Sequence, residues 1–235
     1  VTLWSPGYLV SKFPARPVRV EFNAHGVFDF NENALTGPVA TKDVTFAEAV
    51  RLIEQSDGSN GAYYLRELPV HERFPELVPE LTRPLWIHLL SRRYAPRLWF
   101  GSRGCVSPLH FDGGDQNILA QIYGRKEMVL FSPGDSPCMY PNFECHLPHL
   151  SKVNYFRPDL DRFPAFARAT PFKVLLEPGD AIYVPAYWWH TVRSLEISIS
   201  LNYWWLPWRH ANRALSRSGG RPETSGEHAT SAGPS

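Results

Sequence analysis

Cysteine is scarce in this chain: Cys105, Cys138 and Cys145 are the only three in 235 residues, an odd number with no CxxC spacing. That argues against a disulfide-stapled scaffold and suits a reducing compartment; Cys138 and Cys145 are close enough in sequence to pair, but reduced thiols are the expectation. Long apolar runs are missing as well. No stretch of about 18 apolar residues exists, so no membrane-spanning helix is expected. The opening VTLWSPGYLV has neither a basic flank nor a long apolar core and does not read as a signal peptide. Neither sign of charge dominates: 24 Lys and Arg stand against 23 Asp and Glu, for a net charge of +1. Such a balance projects no field toward nucleic acid or a membrane surface. Arg92, Arg93, Arg97 and Arg103 lie close in sequence and read as a solvated face. The expectation is a soluble, cytoplasmic protein.

What is present is apolar and aromatic. With 43% hydrophobic and 14% aromatic residues the chain can bury a sizeable core, and its length fits one domain. Val18-Arg19-Val20-Glu21-Phe22 is strand-like. Thr45-Phe46-Ala47-Glu48 resembles a capping box, and Phe46, Val50 and Ile53 follow at helical spacing, which predicts a helix over 45–56. Ser56 to Gly61 is a turn and Ala62 to Leu65 a strand. Prolines punctuate 69–84, and 85–90 reads as a buried helical turn. From Arg97 the texture changes to short β runs: 98–100, 107–111, 117–123, 127–131, 172–176, 181–184, 191–192 and 197–204. Gly124-Arg125 reads as a hairpin turn joining 117–123 to 127–131. Residues 197–204 alternate apolar and polar, as a strand with one packed face and one cavity face does. The insert 132–171 is long and irregular, and such loops usually serve function, here as a lid or through Tyr140, Phe143, His146, His149 and Tyr155.

Many short strands joined by Gly/Pro turns favour a sandwich or barrel. The organisation expected is an N-terminal strand and helix extension at 1–96, a catalytic core at 97–205, a helix at 206–216 and a disordered tail at 217–235. Leu206, Trp208 and Leu215 would let that helix dock on the body or on a second copy as a homodimer.

The chemistry concentrates at His110-Phe111-Asp112, answered downstream by His190 within Trp188-Trp189-His190. On an extended strand residues i and i+2 share a face, so His110 and Asp112 can hold one ion while Phe111 packs behind. His190 follows a turn and a strand that bring it to the same place. Two imidazoles and a carboxylate form a facial triad suited to Fe(II), with one side open for a co-substrate and O2. The lack of a thiolate argues against structural zinc. His88 is read as a core residue, and His146 and His149 as surface histidines rather than a second metal site.

Four ordered segments carry a resemblance. Ser107-Pro108-Leu109-His110-Phe111-Asp112 resembles a T/S-P-x-H-x-D motif, and 117–126 resembles N-x-x-x-Q-x-x-G-x-K. Pro178-Gly179-Asp180 through Trp188-Trp189-His190 resembles P-G-D-x-x-x-x-P-x-x-W-W-H, and Asn202-Tyr203-Trp204 resembles N-F/Y-W. Together, from about Trp99 to Trp205, they resemble the JmjC/cupin-like family of Fe(II)- and 2-oxoglutarate-dependent oxygenases, in particular the group around the asparaginyl hydroxylase of hypoxia-inducible factor. The resemblance implies a mainly β double-stranded β-helix (jelly roll) with flanking N- and C-terminal helices. It implies Fe(II), 2-oxoglutarate and O2, with His110, Asp112 and His190 on the metal. It further implies that Lys126 pairs with the distal carboxylate of 2-oxoglutarate, that Ser107 hydrogen-bonds it, and that Tyr64, with Tyr63 as rival, reaches it from the N-terminal region. Asn117 and Asn202 would flank the metal, Val192 would give an apolar wall, and Trp204 would be cavity wall.

One departure is local: Gly113-Gly114-Asp115-Gln116 is one residue longer than in that hydroxylase, and a strand bulge is expected there. Peptide specificity is therefore not carried over. The function expected is hydroxylation of a C–H bond on a protein or peptide side chain. The alternatives are a tailoring oxygenase for a small metabolite or tRNA nucleoside, an N-methyl-lysine demethylase, and a non-catalytic cupin.

Overall fold

The computed structural model describes residues 4–28, 38–81, 96–144 and 146–205. The turn expected at 85–90 with His88, the helix at 206–216, the tail at 217–235, and Arg92, Arg93 and Cys145 lie outside the described residues. The extension carries α1 (Pro6–Lys12), β1 (Pro17–Asn23), β2 (Ala40–Thr45), α2 (Phe46–Gln55), β3 (Ala62–Pro69) and α3 (Val70–Arg73). There follow β4 (Arg97–Gly101), β5 (Val106–His110), β6 (Gln116–Tyr123) and β7 (Lys126–Phe131). The insert contains β8 (Pro141–Asn142) and β9 (Leu147–Ser151), and the chain then runs through β10 (Phe172–Leu176), β11 (Ala181–Val184), β12 (Trp189–Ser194) and β13 (Ser198–Trp205).

Among the described residues these strands make two antiparallel sheets, one ordered β11-β6-β13-β4-β3-β1-β2 and the other β10-β7-β12-β5-β9-β8. Leu119 of the first sheet packs with Met128, Leu130 and Leu176 of the second, which ties the two layers together. This is the sandwich that the β texture predicts, in a form compatible with the jelly roll that the resemblance implies. Period-two alternation sets its faces. On β13, Ile199, Leu201 and Tyr203 point away from the space and pack against Trp4, Leu9 and the α2 residues Phe46, Val50 and Ile53. Ser200, Asn202 and Trp204 point into it. Thr45 caps α2 by accepting from the Glu48 amide at 3.3 Å, while the Glu48 carboxylate pairs with Arg51.

Two expectations change. The Gly124-Arg125 turn does not join a hairpin, because β6 and β7 belong to different sheets. It is the corner where the chain crosses between them, held by Gln121 Nε2 donating to the carbonyls of Tyr123 and Gly124 at 2.8 Å each. Gly124 has φ +67°, and a Cβ there would lie 1.9 Å from the Ile197 carbonyl oxygen. Gly124→Ala is expected to lose about 2–4 kcal/mol from left-handed strain plus overpacking, read as a lower urea midpoint at unchanged slope. The insert 132–171 is not wholly irregular, since β9 pairs with β5 at His110 and Leu150. Its Met139, Val153, Phe163 and Phe166 cover the outward residues Leu109, Val129, Phe131 and Trp189 of the second sheet. None of its described residues lines the cavity, so Tyr140 and Tyr155 are packing residues and the insert is a back cover rather than a lid.

Irregularities in the strands decide what faces inward. Opposite β12 the register of β5 shifts between the pairs His190–His110 and Val192–Ser107. This β-bulge turns both Ser107 and His110 inward although they are three residues apart. A second shift, between Leu65 and Leu68 on β3, does the same for Tyr64 and Glu67, and Glu67 takes φ +54° there. The bulge expected at 113–116 is instead a loop between β5 and β6, turning at Gly113 with φ +65°.

Candidate metal centre and cavity

The space between the sheets is a cavity of about 260 Å³, lined from both sides. At one end β5 and β12 set His110 directly opposite His190, with ring centroids 4.3 Å apart. Asp112 sits two residues past His110, beyond the end of β5. Its Oδ1 lies 3.6 Å from His110 Nε2 and its Oδ2 lies 3.8 Å from His190 Nε2. Among the described residues His110, Asp112 and His190 are the group able to hold a metal, their ligand atoms all within 4.8 Å of one another. Phe111 packs behind, on Trp189 at 4.8 Å between centroids.

Each imidazole is oriented from its far side. His110 Nδ1 lies 2.7 Å from the Pro108 carbonyl oxygen and His190 Nδ1 lies 3.0 Å from that of Trp188. A carbonyl can only accept, so each Nδ1 carries the proton and each Nε2 presents its lone pair to the site. Burial and the nearby His110 push the His190 pKa down to about 4, keeping it neutral. Burial alone would raise Asp112; the attraction of His190 and His110 and the Trp204 hydrogen bond outweigh it and hold the carboxyl well below its usual range. At neutral pH both are in the form that binds a cation.

The carboxylate is fixed in turn. Asp112 Oδ2 accepts from Asn117 Nδ2 at 2.8 Å and from Trp204 Nε1 at 2.9 Å. Asn202 Nδ2 donates to Asn117 Oδ1 at 2.8 Å. Asn117 and Asn202 are thus buried beside the triad, and Trp204, expected only as wall, contacts a metal-site residue directly.

At the other end of the cavity stands Lys126, 2% exposed, donating to Ser200 Oγ at 2.7 Å. Its ammonium lies 5.9 Å from the centre of the Tyr64 ring. Burial pushes its pKa down to about 8. Tyr64 is buried, hydrogen-bonded to Ser107 and raised in pKa by that burial. Its rival Tyr63 faces the other way, against Phe22 and the outer core. Val192, Leu119 and Met128 form the apolar wall.

Several residues in and just behind the cavity lining escaped the sequence reading. Ser200 shares the inward face of β13 with Asn202, so period two would have found it. Glu67 depends on a bulge that no local pattern announces. Arg97, read as solvated, is half-buried and lines the cavity with Glu67, Trp99 and Asp115, while Arg103 is exposed as expected. Trp99 Nε1 and Asp115 Oδ1 are buried without a partner among the described residues. No described helix is long and apolar enough to cross a membrane.

Comparison with known proteins agrees with this geometry. Residues 1–209 match the model of the cupin-like domain. The chain is 36% identical over 152 residues to lysine-specific demethylase 8 of Xenopus tropicalis, covering 63% of this chain and 34% of that one. It is 31% identical over 157 residues to Jumonji C domain-containing protein 5 of Drosophila melanogaster, covering 65% and 39%. With HSPB1-associated protein 1 of Homo sapiens the figures are 41% over 113 residues, 46% of this chain and 22% of that one. The chain thus spans little more than a third, or less, of these relatives. A family match across all of the described residues, on two facing sheets that bring His110, Asp112 and His190 together, places the chain in the cupin-like (JmjC) domain family of Fe(II)- and 2-oxoglutarate-dependent oxygenases.

Proposed function

We propose that the protein is an Fe(II)- and 2-oxoglutarate-dependent hydroxylase acting on a C–H bond of a protein or peptide side chain. The observation that carries this reading is the pairing, in one cavity, of a His-Asp-His group with a buried lysine. The donor set suits Fe(II): two neutral imidazoles and one carboxylate, no thiolate, one side open. When bound, the metal with 2-oxoglutarate supplies O2 activation, and succinate and CO2 leave as co-products. The protein does the rest. His110, Asp112 and His190 hold the metal. Lys126 supplies a desolvated cation for the distal carboxylate of 2-oxoglutarate, and Ser107 and Tyr64 supply hydroxyls beside it. Asn117 and Asn202 fix the metal carboxylate, and Val192, Leu119 and Met128 exclude water.

Substrate size follows from the space. The cavity of about 260 Å³ must accept 2-oxoglutarate as well, and it is already below the ~300–1,000 Å³ usual for small-molecule sites. What remains fits a side chain rather than a whole nucleoside. N-methyl-lysine demethylation is the second reading; Glu67 and Asp115 on the cavity wall and the relatives named as lysine-specific demethylases favour it. Anaerobic titration with Fe(II) and 2-oxoglutarate is expected to raise the visible charge-transfer band of an assembled site. Aerobic succinate release should then be stimulated by a peptide pool more than by metabolites or nucleosides, and formaldehyde release would mark demethylation. Metal bound without a band would return the protein to the class of non-catalytic cupins.

A further inference from the structure

A carboxylate can meet a metal through one oxygen or through both, and the choice decides how many positions stay open. Three protein ligands on a six-coordinate ion leave three positions; 2-oxoglutarate takes two, so one remains for O2. A carboxylate binding through both oxygens would take that last position. The chain carries a device against this. Each carboxylate oxygen has two in-plane lone pairs. On Asp112 both lone pairs of Oδ2 are engaged, by Asn117 Nδ2 at 2.8 Å and Trp204 Nε1 at 2.9 Å, which leaves Oδ1 for a cation. The Asn117 amide cannot turn its oxygen toward Asp112 without facing an N–H donor with its own NH2, because its oxygen already accepts from Asn202 Nδ2 at 2.8 Å. The indole is steadied by Trp99, 6.2 Å away between centroids.

We propose that Trp204 and Asn117, with Asn202 behind it, are positioning residues that hold Asp112 to single-oxygen coordination and so keep open the position O2 needs. This rests on the oxygenase reading. Trp204 offers its indole N–H rather than its ring face, which explains why a residue at the cavity wall carries a polar edge turned toward the metal site.

The test uses the whole chain and the metal alone. Difference infrared spectra, metal-bound minus apo, are taken with Mn(II). A carboxylate bound through one oxygen shows widely split stretches; one bound through two shows closely spaced stretches. The wild type should give the wide splitting, Trp204→Phe and Asn117→Ala each a mixture, and the double variant the narrow one. In parallel, nitric oxide stands in for O2 on the anaerobic Fe(II)–2-oxoglutarate complex. Its affinity, read from the electron-paramagnetic-resonance signal, should fall at least about tenfold in the variants while the charge-transfer band persists; this is the low end of effects at groups that orient metal ligands. Wide splitting and unchanged nitric oxide affinity in both variants would overturn the proposal. So would a loss of metal affinity with the splitting unchanged, since that is a purely structural role. If Trp204→Phe does not fold, Asn117→Ala carries the test alone. A wild type with the wide splitting but no charge-transfer band would fail the oxygenase reading and leave the coordination result standing.

Discussion

Lys126→Met is expected to remove saturable 2-oxoglutarate binding at millimolar ligand while leaving Mn(II) binding intact, as measured by calorimetry. Lys126 is 2% exposed and its ammonium donates to Ser200 Oγ. A charge desolvated to that degree and then neutralised by a carboxylate contributes about 2–5 kcal/mol, a loss of roughly 30- to several-thousand-fold. Methionine keeps the length and the apolar stem, so the cavity stays filled. The pH profile adds a signature. In the free protein burial holds the Lys126 pKa at about 8, below its ordinary value of 10.5. The ligand dianion favours the protonated form, so affinity falls as pH rises through about 8, and binding above that pH takes up protons. Stability runs the other way. The folded pKa lies below the unfolded one, so the unfolded chain binds more protons between about pH 8 and 10.5, and the apo protein gains stability across that window. Lys126→Met should show neither trend. A variant that binds 2-oxoglutarate like the wild type would end the assignment of this lysine.

Asp112→Ala is expected to abolish 2-oxoglutarate-dependent succinate formation and to weaken metal binding by more than the roughly 10–100-fold typical of groups that only orient ligands. It removes the one anion of the triad. It also strips Asn117 Nδ2 and Trp204 Nε1 of their shared acceptor, leaving two donors to desolvation at about 1–3 kcal/mol each unless water replaces it. The variant should therefore lose both metal and thermal stability. Unchanged turnover would sink the metal assignment.

Much of this site was legible because its logic is local. His110 and Asp112 are two apart, His190 follows its own turn and strand, and Ser200, Asn202 and Trp204 obey period two on β13. The triad and Lys126 could be named from spacing and resemblance together. Most core strands were legible too, since they alternate or form bounded apolar runs; β2, β8 and β9 were not, because ATKDVT is nearly all exposed and the other two lie within a Pro-rich insert. What failed was pairing. Gly124-Arg125 has the residues of a hairpin turn, but partners are chosen by the whole sheet, and the corner sends β7 to the opposite layer. Bulges were missed for a similar reason: the shift between Leu65 and Leu68 shows only against β4, and it alone turns Glu67 into the cavity. Trp204 was undervalued because an aromatic beside a cavity reads as wall until the partner of its N–H is known.

His110 and His190 stand in register on neighbouring strands although 80 positions separate them in sequence. A slip of one residue between β5 and β12 would turn one imidazole to the outer face and destroy the ligand set. An ion held by these three side chains would bind only the correctly threaded chain, and during synthesis the group cannot assemble until β12 has left the ribosome and paired. A bound ion would thus act as a proofreading of the fold: mispaired chains would be left without the ligand-derived stabilisation that correctly paired ones gain.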